Sequence, residues 1–385
     1  METVFVTGAS GAIGPQLLAA LARELPTARF AVLLRPEATS TESRIFGLRK
    51  RVNKLAGFEG AAACDLHERL MPVTGDVLQP DCDILKQRGR LVAATTCIVH
   101  AAADTRFRAG EAEQHATNVE GTRNVLAWGR SCERLRRFVL VSTTCVAGTR
   151  TGTIAEEPIT ERPAFVNHYE RTKWEAEQLG VKSGLPLTIV RLATCAGSQN
   201  SGVVERLGGL HWSMQWMIRG LVPMVPGRPE CPVDLISTEL AGGLIARAAA
   251  PQNQRPLEVC HASTGTAAPT LAELLATLRQ LFSSRDDAWR RGQIAAPSIV
   301  SAQTFAAFRR TVETSGDLLF RSVISSVDAF LPALLYPKIF ATSTAEQIWG
   351  GPLPRPDWRG LLDKVLNYCL ATNWGRTKGG VPLHA

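Results

Sequence analysis

Tyr169 and Lys173 stand four residues apart in a stretch whose apolar residues recur at helical spacing, so the two side chains share one face. A free phenol ionises near pH ~10, too high for ready proton exchange at neutral pH, and an adjacent ammonium lowers that value by favouring the phenolate. The same four-residue spacing arises by chance on the surface of many helices. What lifts it here is Thr143, 26 residues earlier at the end of a β-rich run. In a parallel sheet the carboxyl ends of the strands line the ligand crevice. A threonine hydroxyl, a phenol and an ammonium gathered there form a catalytic triad that can give a proton to a carbonyl oxygen.

Such a triad needs a redox partner, and the chain offers a place for one directly after its first β-rich run. Thr7, Gly8, Ala9, Ser10, Gly11, Ala12, Ile13 and Gly14 end a strand and open a helix, with the glycines three apart. Gly8 permits the tight turn, Gly11 lets the backbone approach a pyrophosphate, and Gly14 lets the helix pack close to the strand while free N–H groups face the phosphates. Pro15 falls in the first helical turn, where a missing donor costs little. Thr7, Gly8, Ser10, Gly11, Ala12, Ile13 and Gly14 are therefore candidate cofactor residues. After the second run, where an acid would bind the ribose hydroxyls of NAD, stands Arg35, and Arg44 on the next helix can join it. Two guanidiniums suit a 2′-phosphate, so the expected cofactor is NADPH. Asp76 and Val77, after the third run, sit where this arrangement contacts adenine. An exposed arginine and an ordinary turn aspartate are the plain alternatives.

The elements that position these residues alternate β-rich runs with helical stretches, the order of a doubly wound parallel sheet. Strands are predicted at 3–7, 30–34, 71–75, 97–101, 137–142 and 187–192, with a seventh at 257–261. Helices are predicted at 17–25, 42–55, 111–131 and 169–182. The expected fold is thus α/β, a Rossmann-type sheet with a smaller, mainly helical substrate region. Residues 1–197 would form the dinucleotide-binding domain and 198–385 the substrate region, the strand near 257–261 returning to the sheet. Pro223, Pro226, Pro229 and Pro232 punctuate the segment that leaves it. The 385 residues are 45% hydrophobic and 20% charged, which excludes a disordered chain. No apolar stretch reaches the ~18 residues a membrane helix needs, and 1–8 does not read as a signal peptide. The nine cysteines show no CxxC pair or metal-ligand spacing, so no metal is expected and the cytoplasm is the expected compartment. The net charge of +8 is spread along the chain with no basic and aromatic pattern for nucleic acid.

Six segments carry a family resemblance: TGASGAIG (7–14), VHAAADTRF (99–107), NVEGT (118–122), FVLVSTTCVAG (138–148), YERTKWEAE (169–177) and IVRLATCAG (189–197). The chain resembles the extended short-chain dehydrogenases/reductases. Within them it is most similar to fatty acyl-CoA reductases and to the thioester reductase domains of carboxylic acid reductases and nonribosomal peptide synthetases. The resemblance implies that Thr143 hydrogen-bonds the substrate carbonyl, Tyr169 protonates it and Lys173 holds the nicotinamide ribose. It also implies that Ala101, Ala102 and Ala103 line the cofactor and that Asn118 supports the site from its helix, unless Asn118 simply ties strand to helix. His100 reads as a strand-end residue rather than a base. The family usually has Arg-Pro near the sixth strand where this chain has Arg191 and Leu192, and 283–336 matches nothing recognisable. Trp212, Met214, Trp216, Met217 and Ile218 form a stripe that is either core or the border of an acyl channel.

Three readings stay open. The first is an NADPH-dependent reductase of an acyl thioester, on coenzyme A or an acyl carrier protein, giving an aldehyde and possibly an alcohol. The second is a ketone or alcohol oxidoreductase or an epimerase with the same triad. The third, a protein that only senses NADP(H), normally goes with a lost triad, which Tyr169 and Lys173 argue against.

Overall fold

A computed structural model of the chain describes residues 2–37, 39–84, 88–107, 109–252, 255–328, 330–355, 357–378 and 381–382. Of the N-terminal stretch read against a signal peptide, Met1 lies outside the described residues. Seven parallel strands form one sheet: β1 (Thr3–Thr7), β2 (Arg29–Leu34), β3 (Leu70–Thr74), β4 (Thr95–His100), β5 (Arg137–Thr143), β6 (Leu187–Leu192) and β7 (Leu257–Ala262). Their order is β7-β6-β5-β4-β1-β2-β3, the Rossmann arrangement expected from the alternating pattern. Alternate residues of each strand feed opposite faces. Val4, Val6, Val32 and Val190 pack into one core, Phe5, Leu33, Phe138 and Ile189 into the other. Because both faces are covered, the strands read as nearly unbroken apolar runs rather than as alternating ones.

The covering helices begin and end where local chemistry allows. Helix α1 (Gly14–Glu24) opens with Pro15 and no side-chain cap. Helix α2 (Thr41–Ala56) is capped by the Ser40 hydroxyl, which accepts from the Ser43 N–H, and stops at Gly57 in the left-handed region (φ 71°). The continuous helix expected over 111–131 is interrupted. Residues Glu111–His115 are α-helical, Ala116–Glu120 form a π turn, and α3 (Gly121–Ser131) resumes the α geometry. Helix α4 (His168–Val181) follows β5 and lies against it and β6.

Beyond β6 the chain leaves the sheet, as its prolines suggest. Helix Gly209–Ile218 and the paired short strands Met224–Pro226 and Ser298–Val300 lie outside it. Helix α5 (Thr238–Ala248) then packs on α1 and β7 closes the edge of the sheet beside β6. Helices Leu271–Ser283, Ala302–Ser315, Leu318–Asp328 and Trp358–Ala371 follow, and all four share with Gly209–Ile218 a separate apolar core around Met214, Leu278, Phe282, Ile324 and Leu362. The described residues of 283–336, the stretch without family likeness, lie in this mainly helical part. No helix among the described residues is long and apolar enough to cross a membrane.

Candidate active site

The order of the sheet reverses at β1 and β4, and the crevice between their carboxyl ends is where the glycine turn sits. Gly8 has φ 76°, and a Cβ on it would lie 2.4 Å from the carbonyl carbon of Ala101. A Cβ on Gly14 would lie 2.1 Å from the Ala9 oxygen. Gly14 thus lets the start of α1 lie against the backbone that leaves β1 at Gly8 and Ala9. A Cβ on Gly11 would meet only the Gly8 oxygen, at 3.0 Å, so its other side is open. Ser10 and Ala12 are exposed and Ile13 half-buried. With no side-chain cap and no acid in its first turn, α1 presents its N-terminal N–H groups to this opening, a cradle that fits the pyrophosphate of a dinucleotide. Thr7 stands beside it, its hydroxyl accepting from the Ala102 N–H at 3.2 Å. Ala101, Ala102 and Ala103 are half-buried at the end of β4.

The two arginines after β2 are not equivalent. Arg35 is exposed, whereas Arg44 donates to the Arg35 carbonyl (2.5 Å) and pairs with Glu37 (3.2 Å). Arg44 therefore braces the loop and is already matched by an acid, leaving Arg35 as the guanidinium on offer. After β3, one Asp76 oxygen accepts from the Leu78 N–H (3.0 Å), and the carbonyl of buried Val77 accepts from Asn124 on α3 (2.8 Å).

Thr143, Tyr169 and Lys173 do come together. Helix α4 starts with a reciprocal cap: Asn167 accepts from the Glu170 N–H (2.9 Å) and Glu170 accepts from the Val166 N–H (3.0 Å). That fixes the turn carrying Tyr169, which is 8% exposed and meets the Phe107 ring edge-on at 5.1 Å. Burial pushes the phenol up, while the Thr143 side chain works in the other direction. Lys173, 3% exposed, donates to the Val141 carbonyl at 2.8 Å, and burial lowers its ammonium to about 8 against the pull of Glu177. The expectation that the lysine depresses the phenol is corrected by this arrangement. The ammonium is turned toward the backbone of β5, and burial dominates at Tyr169.

One turn beyond Lys173, Glu177 holds Arg191 of β6 through two hydrogen bonds (3.0 and 2.8 Å), both side chains being buried. Arg191 also meets His261 of β7 (3.3 Å). This ion pair was missed in the sequence, although Tyr169, Lys173 and Glu177 at four-residue spacing form a polar stripe on the face that the sheet buries. Glu170 was missed too. Its buried carboxyl is pushed up to about 7.

Asn118 lies in the π turn, 1% exposed. Its carboxamide accepts from the Asp104 N–H (2.8 Å) and donates to the Asp104 carbonyl (3.0 Å) and the Thr172 hydroxyl (3.1 Å). The carboxamide thus joins Asp104, just past β4, to Thr172 on α4. His100 is a buried strand-end residue, as expected. Burial lowers its imidazole to about 3 and keeps it neutral.

Beside Tyr169 opens a cleft of about 580 Å³, lined among others by Phe107, Arg162, His168, Arg171, Arg309 and Leu331. Of the apolar stripe, Met214 and Met217 line a separate, mostly apolar cavity of about 40 Å³, while Trp212 is 39% exposed and Ile218 is core.

Residues 6–242 match the family described as Male sterility protein. The chain belongs to that family. It is an extended short-chain dehydrogenase/reductase whose matched region is a nicotinamide-dinucleotide-binding domain. Fatty acyl-CoA reductase 2 of Mus musculus is 30% identical over 145 residues, 37% of this chain and 28% of the mouse protein. This member of the Male sterility family thus spans less than a third of that relative. The 4-hydroxy-2-methyl-3-oxo-4-farnesyl-3,4-dihydroquinoline-1-oxide ketoreductase of Stigmatella aurantiaca is 31% identical over 213 residues, 53% of each chain. Among solved structures, the terminal R domain from the myxalamid PKS-NRPS biosynthetic pathway superposes with TM-score 0.76 at 20% identity, covering 97% of this chain and 92% of that one. At that identity the match speaks for the fold.

Proposed function

We propose that the protein reduces acyl thioesters, borne by coenzyme A or a carrier protein, with NADPH as hydride donor. The observation that carries this reading is the packing of the first turn of α4, with Tyr169, against the end of β5, with Thr143, where Lys173 is bonded to the β5 backbone and the glycine cradle lies in the neighbouring crevice. Thr7 to Gly14 and the α1 N-terminus would hold the pyrophosphate, Ala101 to Ala103 the ring end and Asp76 and Val77 the adenine side. Exposed Arg35 favours a 2′-phosphate over a plain ribose. The bound dinucleotide supplies a hydride to the carbonyl carbon.

Thr143 donates a hydrogen bond to the thioester oxygen and Tyr169 gives it a proton as negative charge develops there. Lys173 would hold the nicotinamide ribose. Tyr169 then takes the proton back from the tetrahedral adduct as the C–S bond breaks, the sulfur leaving as a thiol with a proton from solvent. The balance is one thioester, one NADPH and one proton in, one aldehyde, one thiol and NADP⁺ out. The cleft of about 580 Å³ beside Tyr169 would admit the thioester arm, and the part of the chain beyond residue 197 would take the acyl group, with the Met214 and Met217 cavity at its far side. Nine unpaired thiols favour the cytosol as the compartment.

A ketone reductase is the second reading, and the ketoreductase relative, which aligns over more of this chain than the mouse enzyme does, favours it. Purified protein is mixed with NADPH and a panel of acyl-CoAs, carrier-bound thioesters and ketones, and free thiol is followed against NADPH oxidised. One thiol released for the first NADPH consumed is expected. NADPH oxidation with the thioester intact would sink the thioester reading and leave the ketone one.

A further inference from the structure

Between the glycine turn and the helix that carries Tyr169 runs a chain of buried hydrogen bonds whose directions are all determined. Thr122 donates to the Asn118 carbonyl at 2.6 Å, so towards His100 Nε2, 3.1 Å away, its oxygen acts as the acceptor. His100 therefore carries its proton on Nε2, and its Nδ1 accepts from the Thr7 hydroxyl at 2.8 Å. The Thr7 oxygen accepts in turn from the Ala102 N–H. On the other side, the Asn118 carboxamide is oriented by the Asp104 N–H and donates to Thr172, whose hydroxyl donates to the Tyr169 carbonyl at 3.2 Å. Reversing any one of these bonds leaves a buried donor or acceptor without a partner, which costs about 1–3 kcal/mol, so the chain has a single arrangement.

The π turn makes this chain possible. It lies between Glu111–His115 and α3, and carries Asn118 on the side facing Asp104 and Thr172 while leaving the Asn118 carbonyl for the Thr122 hydroxyl. The two ends of the chain are the two halves of the site. Thr7 and Ala102 bracket the place where Gly8 touches the end of β4, and Thr172 sits within the helical turn that runs from Tyr169 to Lys173.

We propose that His100 and Thr122 are positioning residues that tie the dinucleotide cradle to the Tyr169 helix, so that cofactor held at the glycine turn fixes the place of the phenol. The proposal rests on the dinucleotide site of the reading above but not on the identity of the substrate. Thr122 is buried and belongs neither to the glycine turn nor to the lining of the cleft beside Tyr169, which makes it the clean handle. Thr122→Val keeps the shape and removes the hydroxyl; Thr122→Ser restores it.

Amide hydrogen exchange of the full chain, with and without NADPH, is the first readout. In the wild type and in Thr122→Ser, NADPH should slow exchange both at residues 8–14 and at 168–181. In Thr122→Val the slowing should persist at 8–14 and be lost at 168–181. Steady-state kinetics are the second: Thr122→Val should lower kcat about tenfold, with the KM for NADPH within about twofold of wild type, and Thr122→Ser should recover kcat. Should the valine variant fail to fold, Thr122→Ala carries the same comparison. Equal slowing at 168–181 in wild type and Thr122→Val would overturn the proposal. So would a serine variant that behaves like the valine one. If no thioester is reduced but NADPH produces the expected exchange pattern, the substrate reading fails and this coupling stands.

Discussion

Tyr169 holds a phenol that burial keeps protonated, so its proton is given up only when charge develops on an oxygen placed against it. Tyr169→Phe removes that proton and keeps the ring against Phe107. Turnover should fall by ~10²–10⁴-fold, the usual worth of a positioned acid, while the NADPH dissociation constant, followed by cofactor fluorescence, changes little. Wild-type turnover with chemistry rate-limiting would remove Tyr169 from its role. Arg35 belongs to the same scale. Arg44 is matched by Glu37, so the exposed guanidinium of Arg35 should carry the preference for the 2′-phosphate. Arg35→Asp should weaken NADPH by about tenfold or more and NADH far less, as read from the two apparent affinities. Equal use of both cofactors by the unmodified protein would refute the assignment.

Among the elements, the strand–turn–helix unit at the N-terminus separates what folds from what binds. Gly14 is the first residue of α1, and a Cβ on it would fall 2.1 Å from the Ala9 oxygen. Gly14→Ala should therefore lower the melting temperature. Gly11→Ala, with only the Gly8 oxygen at 3.0 Å, should leave it within a few degrees and weaken NADPH instead. Equal melting losses in both would show that Gly11 too serves the fold. These elements were legible because strands buried on both faces are written as unbroken apolar runs and helices at 3.6 spacing; strands β1 and β6 match the expected bounds residue for residue. Other elements were not. The π turn at Ala116–Glu120 depends on hydrogen bonds to Asp104 and Thr172, residues distant in the chain, and leaves no local period. The Glu177–Arg191 pair likewise needed the packing of α4 on β6 to be seen. Tyr169, Lys173 and Thr143 were readable as a group because strand end and helix face are local properties. The direction of the Lys173 ammonium was not, since it depends on the Val141 carbonyl across the sheet.

In the molecule as a whole, the sheet is tied to the later part of the chain at His261 in the edge strand β7. Its backbone N–H goes to half-buried Glu156, which also accepts from the Ala345 N–H (3.0 Å), and its Nδ1 donates to the Ala341 carbonyl at 2.8 Å. Nε2 is then the acceptor for Arg191 (3.3 Å), so a second ring proton would have to face a guanidinium in a dry site. Burial and that guanidinium lower His261 from 6.5 to about 3. Between those two values the unfolded chain binds a proton that the folded chain does not, so this residue makes stability fall as pH drops from 6.5 towards 3. Other buried groups titrate over the same window, among them His100, lowered, and Glu170, raised, so the wild-type curve alone does not isolate it. His261→Gln keeps a donor and an acceptor and cannot take up the proton. At pH 7.5 the variant should be less stable, because the fit to Ala341 and Arg191 is impaired. From pH 6.5 to 4.5 the gap should close by about 1 kcal/mol per pH unit in urea denaturation. Parallel stability curves for variant and wild type across that range would mean that His261 is protonated alike in the folded and unfolded chain, and that the joint between sheet and C-terminal segment does not depend on its neutral form.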